Sequence, residues 1–129
     1  MSIIVVDVKS RIPIYEQIIA SVKDSVVSGL MTADEPLPSV RSLAGELAIN
    51  PNTIQKAYSE LERQGIVYSV PGRGSFIASD TASIERQHRE KILSDLAALV
   101  DEALKSGIDI GEIKSLIEIK RRKTTDDLN

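Results

Sequence analysis

The chain has 129 residues, enough for one ordinary domain or a small domain with an extension. Apolar residues make up 42% and charged residues 27%, which permits a packed core; aromatics are only 3%, so aliphatic side chains must fill it and stacking platforms for single-stranded nucleic acid are scarce. The formal net charge is −3 and Cys is absent, which excludes disulfides and thiolate metal sites and leaves any basic surface to local placement.

The Ile3–Val8 run is apolar enough for a short strand, but it lacks a basic flank and is cut by Asp7, far short of a signal sequence. Pro13 then sits near the start of a helix running to about Ser28, with Ile14, Ile18, Ile19, Val22 and Val26 on one face. Gly29 ends it, and Leu30–Pro36 reads as a loop. Ser39 is a natural cap for a second helix whose buried stripe is Leu43, Ala44 and Leu47. Asn50 caps a third, with Pro51 at the first helical position, where its missing N–H costs nothing. That helix carries Ile54, Ala57, Tyr58 and Leu61 inward. Gly65 stops it, and Ile66–Ala78 reads as two short strands around a Pro71-Gly72-Arg73-Gly74 turn.

Beyond a polar joint at Ser79–Thr81, Ile84, His88, Ile92, Leu96, Leu99 and Ala103 recur at three- and four-residue steps, a helix of about six turns. Gly107 terminates it. Asp109 and Glu112 form a capping box for a last helix, which points Ile113, Leu116 and Ile117 inward and ends in Lys120-Arg121-Arg122-Lys123, with Thr124–Asn129 fraying. No stretch approaches the roughly 20 apolar residues of a membrane span. The expected fold class is mainly α: a winged helix-turn-helix over residues 1–79 (three helices plus a β-hairpin wing), followed over 80–129 by a two-helix dimerisation unit. The expected location is the cytoplasm.

Helix, tight turn, helix, hairpin is an order in which the second helix of the pair enters the major groove of DNA. Asn50, Asn52, Thr53, Gln55 and Lys56 fall on the first turns or outer face of the third helix, where they can bond base edges or phosphates. As a competing structural reading, the two asparagines merely cap and Gln55 and Lys56 are solvated. Arg41 opens the second helix, where this architecture crosses the backbone; alternatively it pairs with Glu46 or Glu35. Gly72 and Gly74 are sufficiently explained by the hairpin turn, yet Arg73 between them makes a thin cationic tip suited to a minor groove. The last two helices cannot bury both apolar stripes in each other and also cover the first three. Ile92, Leu96, Leu99, Val100, Ala103, Ile113, Leu116 and Ile117 are the expected dimerisation residues; the alternative is that the pair folds back on the winged domain within one chain.

These residues resemble the GntR family of bacterial transcription regulators. The likeness runs through Pro13–Ile18, Leu37–Ala44, Asn50–Tyr58, Leu61-Glu62, Gly65 and Gly72–Phe76, covering roughly residues 10–78. It implies that Arg41, Asn52, Thr53, Gln55 and Lys56 face DNA, that the Gly72–Gly74 tip lies in the minor groove, and that Tyr15 and Ser39 contact phosphates. The short helical tail is similar to the YtrA branch, where it serves dimerisation. Two positions depart from the family pattern: Ala33-Asp34 stands where a Pro-Gly pair is usual, and Ser42 where an acidic residue would complete the Ser39 capping box.

The expectation is a homodimeric, sequence-specific repressor that binds an inverted repeat in double-stranded DNA, with Arg41, Gln55 and Lys56 supplying most specificity and Arg73 and Tyr15 anchoring. A winged helix that docks a protein is the alternative. Catalysis finds no support: His88 is the only His, and the Glu60/Glu62 and Asp101/Glu102 pairs read as solvated helix faces. No metal, cofactor or membrane partner is expected. A small-molecule effector is compatible with the pattern, but no residues identify one.

Overall fold

The computed structural model describes residues 4–128. Its elements are α1 (Ile14–Val27), α2 (Val40–Leu47), α3 (Pro51–Arg63), β1 (Val67–Val70), β2 (Gly74–Ile77), α4 (Thr81–Lys105) and α5 (Ile110–Leu128). They divide between two compact units, Met1–His88 and Arg89–Asn129. The division falls inside α4, because Ile84 on its first turn packs against the core of the winged unit.

That core is aliphatic, as the composition requires. Ile18, Val22 and Val26 from α1, Leu43 and Ala44 from α2, and Ile54, Ala57, Tyr58 and Leu61 from α3 are all buried, and Ile66, Val67 and Ile77 close the hairpin side. The stripes expected on the first three helices are the ones that pack. Local chemistry sets the boundaries. Ser39 Oγ accepts from the Ser42 N–H at 3.0 Å and Asn50 Oδ1 from the Asn52 N–H at 2.8 Å, each satisfying a donor left over at a helix start. Ala48, at φ 55°, makes the left-handed turn between α2 and α3.

β1 and β2 pair antiparallel, Val67 opposite Ile77 and Val70 opposite Gly74. A third segment joins them where a loop was expected. The Asp34 N–H donates to the Ile77 carbonyl at 2.9 Å, the Ile77 N–H to Glu35 at 2.8 Å and the Leu37 N–H to Ser75 at 2.9 Å, with Pro36 bridged to Phe76. Asp34, at φ 63°, occupies the conformation that glycine of the usual Pro-Gly pair would take without strain. Its carboxylate Oδ1 accepts from Tyr68 OH at 2.9 Å and Ser79 Oγ at 2.6 Å, fastening wing, edge segment and joint together. The Ser79 bond, then the Tyr68 bond, holds the Asp34 carboxyl below its ordinary range.

Three expectations fail. Residues 4–8 form no strand (Ile3 lies outside the described residues); they run along α1, where Gln17 accepts from the Asp7 N–H at 2.7 Å and donates to the Asp7 and Ile12 carbonyls. The Asp109–Glu112 box is not made: Asp109 Oδ1 accepts instead from the Gly111 N–H at 3.3 Å. α5 does not end at the basic run, since Thr124 and Thr125 continue the helix and bond back to the Lys120 and Arg121 carbonyls at 3.0 Å.

In the second unit, most large apolar residues of α4, α5 and the turn between them stay open. Ile92, Leu93, Leu96, Leu99, Leu104, Ile108, Ile110, Leu116, Ile117 and Ile119 are 41–61% exposed, while Val100, Ala103 and Ile113 are half-buried. Among the described residues no helix is long and apolar enough to cross a membrane.

Candidate nucleic-acid interface

α3 builds the site because its two flanks differ so sharply. Ile54, Ala57 and Leu61 are fully buried and Tyr58 nearly so, which fixes the helix against α1 and α2. The opposite flank carries Asn52, Gln55, Lys56 and Ser59, all exposed, with Thr53 half-buried. Asn50 is exposed as well, but its Oδ1 is committed to the cap, leaving its amide N–H₂ as the group able to meet another molecule.

Tyr58 ties this helix to the next element. Its hydroxyl donates to the Pro38 carbonyl at 2.8 Å, holding the approach to α2, where Ser39 and Arg41 lie. Burial pushes the Tyr58 phenol well above its usual range, so the donor proton is retained. Ser39 accepts within the cap through its oxygen, and its O–H remains able to donate to a phosphate. Arg41 is exposed on the first turn of α2.

Adjacent residues of α3 look in different directions. Gln55 lines an open trough of about 510 Å³ with Pro38, Ser39 and Val40 on one side and, on the other, the wing residues Ser69 to Gly72 with Gly74 and Ser75. Its Nε2 donates to Ser59 Oγ at 3.2 Å. Lys56 turns toward α1 and places its ammonium 3.9 Å from the centroid of the Tyr15 ring. The structure therefore gathers Ser39, Gln55, Gly72 and Gly74 about one trough and sets Tyr15 with Lys56 apart from it.

At the wing tip Gly72 has φ 77° and Gly74 φ 107°, and Arg73 between them is exposed, its N–H donating to the Val70 carbonyl at 2.9 Å. Both glycines meet the left-handed requirement that a side chain would resist. Tyr68 and Phe76 stack at 5.5 Å on the hairpin body, stiffening the base of the tip.

Sequence reading missed Glu62, which also lines the trough and accepts from Ser69 Oγ at 3.2 Å. Its place two turns beyond Gln55, on the same face of the helix, was the available signal. Glu60 is different: Arg63 donates from Nε to its carboxylate at 2.8 Å and Gln64 at 3.0 Å, and those bonds hold its pKa down at about 2. Arg63 is thereby paired within α3. Among the described residues no group of three or more His, Asp or Glu is placed to hold a metal.

Residues 14–77 match the family described as bacterial regulatory proteins, gntR family. The chain is similar to the HTH-type transcriptional repressor YtrA of Bacillus subtilis strain 168, at 36% identity over 88% of both chains. Among solved structures it resembles a transcriptional regulator from Oenococcus oeni, with a TM-score of 0.75, 36% identity, and 88% of this chain and 94% of the other covered. It also resembles the AraR DNA-binding domain solved in complex with operator ORR3, with a TM-score of 0.51, 29% identity, and 57% of this chain and 88% of that one covered. With the trough, wing and capped helix already placed, the likeness spans both the DNA-reading architecture and most of the helical tail: the chain belongs to the gntR family of bacterial regulatory proteins and is a transcriptional regulator built on a winged helix-turn-helix.

Proposed function

We propose that this DNA-binding transcriptional regulator works as a homodimeric repressor in the cytoplasm. Each α3 lies in the major groove of one half of an inverted repeat, and each wing tip lies in the neighbouring minor groove. The reading is carried by one observation: the polar flank of α3 is exposed beside a trough that runs between the start of α2 and the wing. Asn52 and Gln55 meet base edges, Asn50 and Thr53 border them, and Arg73 anchors between Gly72 and Gly74. Ser39 and Arg41 hold phosphates on the α2 side; Arg41 is assigned to the backbone and not to the specificity expected of it, because it opens α2 where this architecture crosses the phosphates.

Dimerisation falls to the second unit. Ten large apolar side chains there are at least 41% exposed, an area that soluble proteins ordinarily cover. A two-fold pairing of α4 and α5 through Ile92, Leu96, Leu99, Val100, Ala103, Ile113, Leu116 and Ile117 covers them and presents two winged units to one duplex. The YtrA relative is a repressor by name, which supports the same sign of regulation here. Nothing in this scheme uses a catalytic group.

Selection from random duplexes with the purified full chain, followed by gel shift, tests it. The expected result is an enriched inverted repeat with half-site centres about 34 Å apart, or a multiple of that spacing. Failure to enrich any duplex would refute the reading and turn attention to a protein partner for the same face.

A further inference from the structure

The family resemblance implies a phosphate contact for Tyr15, and the expected scheme gives Lys56 a share in reading bases; the side-chain geometry argues against both. The Tyr15 hydroxyl donates to Glu16 Oε1 at 3.3 Å. The Glu16 charge, followed by burial and then Glu60, raises the phenol's pKa. The hydroxyl proton is therefore already committed to a carboxylate and is not free for a phosphate. The ring face carries the Lys56 ammonium at 3.9 Å, the attractive arrangement for a cation over an aromatic quadrupole. Lys56 is consequently held on the α1 side of α3, away from the trough that Gln55 shares with the wing.

We propose that Tyr15 is a positioning residue whose ring holds Lys56 beside α1, so that Lys56 meets DNA as a point charge on a phosphate and reads no base. The role deepens the DNA-binding reading and rests on it. A lysine free to sample its rotamers loses that freedom on binding a phosphate, whereas one already seated on a ring loses less. The ring thus raises affinity for every sequence alike.

The test uses the full chain, wild type and with Tyr15→Phe, Tyr15→Leu or Lys56→Ala, on the selected operator and on an unrelated duplex. In the free protein, ¹³C-labelled lysine should show Lys56 Hε protons shifted upfield by the ring current, retained in Tyr15→Phe and lost in Tyr15→Leu. Tyr15→Leu should weaken both duplexes roughly two- to five-fold, with Tyr15→Phe staying within about two-fold of wild type. Lys56→Ala should weaken both by the same factor and flatten the slope of log K against log salt by about 0.9 for each protomer. Tyr15→Phe falling as far as Tyr15→Leu would make the hydroxyl the contact. Tighter or unchanged binding by Tyr15→Leu, or a changed operator preference in Lys56→Ala, would equally overturn the assignment. If the upfield shift is missing while wild-type affinity stands, the positioning role alone is lost; if the wild type binds no duplex, the DNA-binding reading goes with it.

Discussion

Replacing Tyr58 by Phe isolates one bond on which both the fold and the interface depend. The ring stays in a site only 4% exposed, so no cavity is created, and the change removes only the hydroxyl that donates to the Pro38 carbonyl at 2.8 Å. A neutral hydrogen bond contributes about 0.5–1.5 kcal/mol net, and an acceptor stranded out of water costs about 1–3 kcal/mol. Pro38 is half-buried, so water reaches its carbonyl in part and the lower end applies: about 1–1.5 kcal/mol. For a unit of this size that lowers Tm by on the order of 5–10 °C. Circular dichroism melts of the full chain at pH 6 and pH 9 should give the same loss, because burial keeps the phenol protonated across that range. Pro38 leads into Ser39 and Arg41, so operator affinity should fall as well. A Tm within about 1 °C of wild type would refute the reasoning, since no hydrogen bond of ordinary strength could then join α3 to the start of α2.

Other perturbations probe separate parts of the molecule. Arg73→Ala should weaken binding to all duplexes and flatten the salt slope by about 0.9 per wing, leaving base preference unaltered; a changed preference at full affinity would mean that the tip reads sequence. The Asp34 carboxyl is held below its ordinary 3.8 by Ser79 and Tyr68, so its charge stabilises the fold above that pH and the contribution disappears as pH falls through its folded value. Asp34→Asn should therefore melt lower than wild type at pH 7, with the gap closing below about pH 4; a gap constant down to pH 2.5 would put the effect outside the carboxylate. Leu99→Glu with Leu116→Glu should convert a sedimenting dimer to monomer while the winged unit keeps its circular dichroism, and a wild type that sediments as a monomer would remove the proposed pairing.

Much of the winged unit was legible because its boundaries are written in local chemistry. Ser39 and Asn50 cap, Pro51 opens a helix, Gly65 closes it, and two glycines turn the hairpin, each acting within three or four residues of itself. What escaped depends on distant partners. The run after Ile3 has strand composition, but a strand needs a neighbour to pair with, and here the Gln17 amide satisfies the backbone groups of Asp7 and Ile12 instead. The edge segment at Asp34–Leu37 is too short and too proline-rich to show a period of two; it is recruited by β2. Asp34 itself was visible only as a departure from a family pattern, and its value lies with Tyr68 and Ser79, 34 and 45 residues away. At the site, the residue types on α3 were readable, but the opposite outlooks of Gln55 and Lys56 depend on where α1 packs. The end of α5 was misplaced for a simpler reason. A basic run favours a helix terminus without enforcing one, and no Gly or Pro follows it.

The acidity of the chain, which at first counts against DNA, bears on the pairing proposed above. Of the seven Lys and Arg up to residue 78, Arg63 is paired with Glu60, and only Arg41, Lys56 and Arg73 belong to the proposed DNA face. Three phosphate contacts per winged unit give a salt slope of only about 2.7, and they leave non-specific affinity low because that affinity comes almost wholly from such contacts. Discrimination then rests on the few base-edge groups around Gln55, and each good bidentate contact contributes only about 1–3 kcal/mol. One winged unit with so few contacts binds weakly. Joining two makes the second half-site an intramolecular partner, and affinity then rises by as much as about 10²–10⁴ without any added charge. The proposed pairing thus accounts together for the exposed apolar surface of α4 and α5 and for the sparse cations of the winged unit: a face that binds loosely alone and selectively as a pair.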